Sequence, residues 1–171
     1  MNIADLFKKD RTVFSFEVFP PKKESGIDTI YTTLEQLKEL NPDFISVTYG
    51  AGGSGVANAT TADLCSLIKN KHGIETIAHL SCLYNTKESV DEILEELSEN
   101  GIYNILALRG DVNPAFEVKH DFKYASDLTE YIMTKHEGFH VSGACYPEVH
   151  QEAADMIDDI KNLKKKVDAG A

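Results

Sequence analysis

Cysteine, positive charge and long apolar runs are all scarce in this sequence of 171 residues. The three cysteines, Cys65, Cys82 and Cys145, are far apart and lack the spacing of metal ligands, which is typical of reduced intracellular thiols. Only 17 Lys and Arg oppose 28 Asp and Glu, and the net charge of −11 argues against a general nucleic-acid or anionic-membrane binder. No apolar run reaches membrane-spanning length, and the start, MNIADLFKKD, lacks a signal-peptide pattern. We therefore expect a cytoplasmic protein that makes no membrane contact and holds no metal.

Strand-like and helix-like segments alternate along the chain. The strand starts are spaced by roughly thirty residues, the length of a βα unit. The predicted strands are Thr12–Phe19, Asp43–Tyr49, Ile74–Leu80, Ile102–Leu108 and Phe139–Cys145. We see no linker or low-complexity tract, and we predict one α/β domain over residues 1–171 with a parallel sheet covered by helices.

Helical patterns fill the segments between the strands. Apolar stripes at helical spacing are formed by Ile27, Ile30, Leu34 and Leu37, and by Val90, Ile93, Leu94 and Leu97. Asn100-Gly101 is a C-terminal cap for the second stripe. Ser126 is the expected N-cap of a helix that reaches Lys135, and a last helix is expected from about Glu152 to Val167.

Two architectures fit five βα units: an open doubly wound sheet, or part of a (β/α)₈ barrel. A barrel needs eight units and typically about 250 residues. The fifth helix of this sequence is its last, so the barrel interpretation implies about the first five units, with the chain truncated before strand six. The remaining strands would then come from a missing C-terminal segment or a second polypeptide.

The segment FSFEVFPPK, Phe14 to Lys22, places one acid near the end of a β-like run. Alternation puts Glu17 on the face opposite the larger apolar residues, and Pro20-Pro21 ends the strand. The carboxyl ends of strands carry the chemistry of parallel α/β proteins. The alternatives are a functional carboxylate and a strand-end charge turned to solvent.

A glycine-rich loop follows the second strand, and its residues Gly50, Gly52 and Gly55 match G-x-G-x-x-G. Glu75 lies at the distance of a ribose-binding acid, but it begins its strand instead of ending it, so a dinucleotide fingerprint fits poorly. A loop whose backbone closely approaches a flat ligand fits better, and a merely flexible loop is the remaining alternative.

Polar residues also end the other strands, and we expect them to share one edge of the sheet. They are Thr48-Tyr49, His79, Arg109-Gly110-Asp111, and Tyr146 with His150. An arginine there can bind phosphate, although a turn-closing Arg–Asp pair is the simpler alternative. On the last helix Asp159, Asn162 and Lys166 share one face. Together these positions describe an active site.

The segments FSFEVFPPK, FISVTYGAGGS, IAHLSC, ILALRGD, YASDL, YPEVH and DIKNLKKKVDAGA together resemble methylenetetrahydrofolate reductase over almost the whole chain. The resemblance implies a (β/α)₈ barrel that binds FAD. Hydride from NADH or NADPH would pass through FAD to 5,10-methylenetetrahydrofolate and give 5-methyltetrahydrofolate. Glu17 matches the family's general acid, which has to hold its proton near neutral pH, as burial at a barrel mouth would favour. Asp111 matches an acid close to both flavin and folate.

The same resemblance gives the remaining site residues. Thr48 matches a nicotinamide contact. The FAD contacts would be Tyr49, Ala51, His79, Arg109, Gly110, Asp111, Ala125, Tyr146, His150, Asp159, Asn162, Lys165 and Lys166. Lys165 stands where some members have arginine. A homo-oligomer is expected unless a further segment completes the barrel. The alternatives are a non-catalytic partner or fragment of such a barrel, and a flavin-free barrel lyase using Glu17 and Asp111.

Overall fold

Five short strands pair in parallel in the order in which they occur in the chain. The computed structural model describes residues 1–8, 10–21, 26–49, 60–115 and 117–171. The strands are β1 (Ser15–Val18), β2 (Phe44–Val47), β3 (Glu75–Ser81), β4 (Asn104–Leu108) and β5 (His140–Gly143). The sheet order is β1-β2-β3-β4-β5, with every neighbouring pair parallel.

The strand order decides between the two predicted architectures. A doubly wound sheet reverses its strand order at a switch point, whereas a (β/α)₈ barrel adds each strand beside the previous one. The observed order contains no reversal. The chain therefore carries the first five βα units of a (β/α)₈ barrel, as predicted.

Five helices alternate with the strands in the described part of the chain. They are α1 (Ile27–Glu39), α2 (Thr61–Ser66, continued by a π-helical turn over Leu67–Lys71), α3 (Lys87–Glu99), α4 (Ala125–Lys135) and α5 (Met156–Asp168). None of these helices is long and apolar enough to cross a membrane.

One row of apolar residues crosses the whole sheet on the face that the helices cover. The register aligns Val18, Val47, Ala78, Ile105 and Val141, and all five side chains are buried. Fully burying a Val or Ile side chain contributes about 1.5–3 kcal/mol to stability. The alternating positions, which include Glu17 and His79, consequently point to the opposite face.

The N-terminal edge of that opposite face is closed by a short 3₁₀-helix, Ile3–Leu6. Its two buried side chains, Ile3 and Leu6, form a small apolar cluster with Phe44 and Ile77. Glu75 lies at this edge too, where it accepts a hydrogen bond of 2.6 Å from Lys69 Nζ. Glu75 is therefore remote from the carboxyl ends of the strands, which agrees with its rejection as a ribose-binding acid.

Several element boundaries differ from the predicted ones, for local reasons. β1 begins at Ser15 instead of Thr12. The carboxylate of Asp43 accepts hydrogen bonds from the Phe14 backbone N–H (2.9 Å) and from Arg11 Nη1 (2.8 Å). The Asp43 side chain therefore takes up the Phe14 N–H, and the regular pairing with β2 begins at Ser15.

Two helix starts were predicted wrongly. Ser126 lies inside α4 and does not cap it, because the Asp127 carboxylate accepts the backbone N–H of Tyr124 at 2.9 Å. α5 begins at Met156 and not near Glu152, because the Asp155 side chain caps it by accepting the Asp158 N–H at 2.8 Å. The predicted close of α3 is confirmed: the helix ends at Glu99, and Gly101 has a φ of +76°.

The three cysteines are all unpaired. Burial raises the pKa of Cys65 to about 12 and that of Cys82 to about 11. Cys145 is exposed, directly after β5. Buried thiols with raised pKa values are structural and inert.

Candidate functional site

A cleft of about 430 Å³ lies at the carboxyl ends of β4 and β5, against α5. Its lining is formed by Ala107, Leu108, Arg109, Gly110, Asp111, Tyr124, Ala125, Ser126, Ala144, Tyr146, His150, Glu152, Ala153, Asp158, Asp159, Asn162, Lys165 and Lys166. Every predicted cofactor contact from Arg109 onward is in this lining. The cleft therefore brings together predicted site residues from β4, α4, β5 and α5.

The loop after β4 approaches β3 closely. Gly110 has a φ of +86°, and a Cβ atom at this position would lie 3.2 Å from the Ser81 Cβ. Both the backbone conformation and the space therefore favour glycine. The next residue is fixed by Tyr84, whose hydroxyl donates to the Asp111 carbonyl at 2.9 Å. The Asp111 side chain itself is exposed.

Arg109 is held by a carboxylate that the sequence pattern does not reveal. Its Nη1 and Nη2 atoms donate to the two oxygens of Glu152, the Nη2 bond measuring 2.8 Å. Hydrogen bonding to Glu152 raises the pKa of Arg109, and hydrogen bonding to Arg109 lowers the pKa of Glu152. Arg109 thus pairs with Glu152. The simpler alternative from the sequence, a turn-closing pair of Arg109 with Asp111, is not observed.

α5 supplies two amines to the cleft. Lys166 Nζ donates to the Ala144 carbonyl at 2.7 Å, and Lys165 Nζ donates to Asn162 Oδ1 at 2.8 Å. The Asp159 carboxylate accepts the His150 backbone N–H at 3.0 Å, which ties α5 to the loop after β5. The predicted face of Asp159, Asn162 and Lys166 accordingly turns toward the cleft.

Two aromatic rings form part of the cleft wall. Tyr146 and His150 pack edge to face, with ring centroids 4.9 Å apart and an interplanar angle of 89°. Tyr146 is exposed and His150 is half-buried. The cleft thus combines cationic groups, an open glycine backbone and aromatic surface, a set of groups that suits a planar ligand carrying phosphate.

Glu17 and His79 face each other away from this cleft, on β1 and β3. Glu17 Oε2 lies 3.6 Å from His79 Nε2, and no described residue makes a hydrogen bond to that nitrogen. Burial lowers the pKa of His79, and the charge of Glu17 opposes this change. The burial expected for Glu17 is absent, because its side chain is 50% exposed and β1 pairs only with β2 among the described residues.

The end of β2 is joined to β3 and α3 by a buried side chain, Asn85. Its amide donates to the Ser81 carbonyl at 2.7 Å and exchanges hydrogen bonds with the Tyr49 hydroxyl at 3.2 to 3.3 Å. Thr48 accepts a hydrogen bond from Thr61 Oγ1 through its carbonyl. The predicted contact Ala51 and the glycine-rich loop from Gly50 to Gly55 lie outside the described residues.

Three polar residues that position this site were missed from the sequence: Tyr84, Asn85 and Glu152. Tyr84 and Asn85 lie three and four residues after the end of β3, so extending the rule on polar strand ends into the following loop could have found them. For Glu152 no local signal exists, because it meets Arg109 across 43 positions of sequence. Within the described ranges, no group of three His, Cys, Asp or Glu side chains is placed to hold a metal ion.

Comparison with known proteins identifies one family. The family model described as methylenetetrahydrofolate reductase matches residues 2–171. The 5,10-methylenetetrahydrofolate reductase of Pectobacterium carotovorum subsp. carotovorum is 41% identical over 170 residues, which cover 99% of this chain and 55% of that protein. For the Escherichia coli K12 enzyme the identity is 41% over 157 residues, covering 92% and 51%.

A plant relative and a solved structure extend the comparison. Methylenetetrahydrofolate reductase (NADH) 1 of Arabidopsis thaliana is 37% identical over 99% of this chain and 31% of its own length. The 4-hydroxy-tetrahydrodipicolinate synthase of Methylacidiphilum fumariolicum SolV superposes with a TM-score of 0.55 at 15% identity, over 93% of this chain and 52% of that one. The likeness to the synthase shows the fold alone. The chain spans about half the length of its bacterial relatives.

Proposed function

Because this chain belongs to the methylenetetrahydrofolate reductase family, we propose that it forms the cofactor-binding part of an enzyme that reduces 5,10-methylenetetrahydrofolate to 5-methyltetrahydrofolate. The observation that carries the proposal is the convergence of the predicted cofactor contacts. Arg109, Tyr146, His150 and Lys166 come from distant parts of the sequence, and all of them line one cleft at the carboxyl ends of the strands. In a barrel, this is the edge where active sites lie.

The residues of the cleft fit FAD by their chemistry. Arg109, Lys165 and Lys166 supply the positive charge that a diphosphate bridge requires, Gly110 leaves room for a close ligand, and Tyr146 offers an aromatic surface. FAD, when bound, would accept hydride from NADH or NADPH and pass it to the methylene carbon of the folate. Tyr49 and His79, at the ends of β2 and β3, would extend the same site beyond the cleft.

Two carboxylates would act on the folate. Glu17 would deliver a proton to the folate nitrogen as the five-membered ring opens. His79 Nε2, to which no described residue makes a hydrogen bond, lies 3.6 Å from Glu17 Oε2. Asp111 would hold a fixed negative charge near the cationic iminium and the flavin, because Tyr84 anchors its backbone. Thr48, at the end of β2, would contact the nicotinamide.

We further infer that this domain is completed by additional βα units, supplied by the same chain or by another. α5 has no buried residue, and Met156, Ile157, Ile160 and Val167 are all more than half exposed. In the described residues β5 pairs only with β4, which leaves one edge of the sheet open. A strand beside β5 and a helix against α5 would bury these groups. The open edge and the half-exposed Glu17 favour the alternative of a non-catalytic partner or fragment when the chain is alone.

Complementation tests this proposal. The chain is purified alone and together with the part of the Pectobacterium enzyme that lies beyond the matched region. FAD is measured by its visible spectrum and turnover by folate-dependent oxidation of NADH and NADPH. We expect little FAD and little turnover for the chain alone, and both in the assembled protein.

The outcomes separate the two inferences. An assembled protein that binds no FAD would contradict the proposed function. A monomeric chain that is yellow and active without the added segment would contradict the proposed completion and would leave the function standing.

A further inference from the structure

The guanidinium of Arg109 is already engaged. Two of its donors go to the Glu152 carboxylate, and Nε donates to the Gly110 carbonyl at 3.3 Å. A guanidinium has five N–H donors, and its paired outer donors are the ones that bind a carboxylate or a phosphate in a bidentate manner. Glu152 therefore occupies the part of Arg109 that a phosphate would use.

The other two cations of the cleft are differently placed. Lys165 and Lys166 donate to an amide oxygen and to a backbone carbonyl, and neither forms an ion pair with a described carboxylate. Their charges remain available to an anion. Of the three cations, Arg109 alone is neutralised by a carboxylate within hydrogen-bonding distance, among the residues that the structure describes.

Glu152 is placed so that a ligand can displace it from Arg109. Its side chain is 54% exposed, compared with 25% for Arg109, and it lies in the loop between β5 and α5. Because more than half of the Glu152 side chain is exposed, water can solvate its carboxylate once it separates from Arg109, which limits the cost of breaking the pair. A carboxylate that stayed beside a bound phosphate would repel it. Hydrogen bonding to Arg109 lowers the pKa of Glu152, so the carboxylate is ionised at neutral pH and competes there.

We propose that Glu152 is a resident counter-ion that sets the affinity and specificity of the cleft, because a phosphate-bearing ligand has to displace it from Arg109. The inference rests on the proposed function only in taking a diphosphate as the ligand. A diphosphate, which carries several charges, can replace the carboxylate and also reach Lys165 and Lys166. A ligand with a single negative charge gains too little to do so.

The test is calorimetric titration of the whole chain with inorganic pyrophosphate at low ionic strength. In Glu152→Gln the competing charge is gone, and we expect pyrophosphate to bind about tenfold more tightly, the change that corresponds to about 1.4 kcal/mol. Glu148→Gln is the matched control, because Glu148 is an exposed acid of the same loop that lies outside the cleft lining. Its affinity should stay within about twofold of the starting protein, as for surface changes away from a site.

Two further variants make the result specific to the pair. Glu152→Asp keeps the charge on a side chain that is one methylene shorter, and it should bind pyrophosphate with intermediate affinity. Lysine cannot form the bidentate pair. When Arg109→Lys is already present, adding Glu152→Gln should therefore change the logarithm of the pyrophosphate affinity by less than half of what it changes in the starting protein. Circular dichroism of each variant checks that the fold is retained.

Equal or weaker binding by Glu152→Gln would overturn the proposal, since weaker binding means that Glu152 positions Arg109 for the ligand. The absence of detectable binding by every variant would also overturn it. Pyrophosphate binding needs neither flavin nor folate chemistry. If Glu152→Gln tightens pyrophosphate binding as expected but the completed protein binds no FAD, the proposed function is contradicted and this inference stands.

Discussion

α3 and α5 are both amphipathic helices of 13 residues, but their surroundings differ completely. α3 buries Val90, Leu94 and Leu97 against the middle of the sheet, whereas no residue of α5 is buried. α3 packs on the sheet and has a neighbouring helix on each side, α2 and α4. α5 is the last described helix and follows β5, the strand at the open edge of the sheet. An apolar stripe shows which face a helix can bury, and only the neighbouring elements decide whether that face is covered.

The same contrast separates the residues that stabilise the fold from those that would bind a ligand. The middle of the sheet, β3 and β4, holds fully buried residues such as Leu80 and Ile105. The candidate site uses the carboxyl ends of the strands, the loops that follow β4 and β5, and α5, where most of the polar groups are only partly buried. The following changes test this division, from the largest expected effect to the smallest.

The largest effect is expected from Leu94→Ala in α3. Leu94 is fully buried, so its truncation should lower the free energy of unfolding by about 2–5 kcal/mol. The matched change in α5 is Ile160→Ala. Ile160 is 59% exposed, so its truncation should cost less than about 0.5 kcal/mol. Urea unfolding of the isolated chain measures both. Similar losses would show that α5 is covered in solution, for example by a second copy of the chain.

Glu17→Gln is expected to have the next largest effect, in the completed enzyme. Loss of a proton donor should slow folate reduction by about 10²-fold or more. Flavin reduction by the nicotinamide should stay within about tenfold, because that step does not use this proton. Stopped-flow measurement of each half-reaction makes the distinction. Equal losses in the two half-reactions would remove Glu17 from the role of general acid.

Lys166→Ala tests α5 as part of the binding surface of the cleft. Charge-assisted contacts are worth about 1.5–3 kcal/mol, so FAD affinity should fall by roughly tenfold or more. Lys161→Ala removes the same charge from an exposed position outside the cleft lining, and it should leave the affinity nearly unchanged. Fluorescence titration of the completed protein measures both. Because Lys166 also bonds the Ala144 carbonyl, the stability of the variant is measured in parallel. Equally small effects of both changes on FAD affinity would indicate that the lysines of α5 form a solvated face and not a binding surface.

The smallest effect concerns the pH dependence of stability. Burial lowers the pKa of His79, and the charge of Glu17 opposes this change. Below about pH 6.5, His79 therefore binds a proton more readily in the unfolded chain than in the folded one. Stability should therefore fall as the pH decreases through this range. His79→Gln should reduce the slope without abolishing it, because burial also lowers the pKa of His72. Glu17→Gln should steepen it. Thermal unfolding between pH 5 and 8 would contradict this assignment if the slope were the same in all three proteins.

The sequence predicts the central region best, because local patterns specify it. Apolar strands at regular spacing predict the parallel sheet, and Asn100-Gly101 predicts where α3 ends. The choice between a barrel and a doubly wound sheet needs the strand order, which no local pattern contains. The starts of α4 and α5 were predicted wrongly because the Asp127 carboxylate accepts the backbone N–H of Tyr124 at the start of α4, and the Asp155 side chain caps α5.

The candidate site was predictable as a set of strand ends but not as a set of contacts. Arg109 and Tyr146 meet in one cleft because parallel strands end at the same edge, and Lys166 reaches the same cleft from α5. The engagement of Arg109 by Glu152 depends on how the loop before α5 folds back, and the half-exposed state of Glu17 depends on β1 having one neighbour in the described sheet. Their roles in catalysis stay predictions.

The cysteines offer a way to observe the cleft directly. Cys65 and Cys82 are buried with raised pKa values, so an electrophile in solution meets them only when the chain unfolds. Cys145 is exposed and lies beside Tyr146, in the groove that adjoins the cleft. A maleimide fluorophore should therefore attach to Cys145 without any engineering. The unmodified sequence thus supplies a single labelling position from which the arrival of a ligand can be followed in real time.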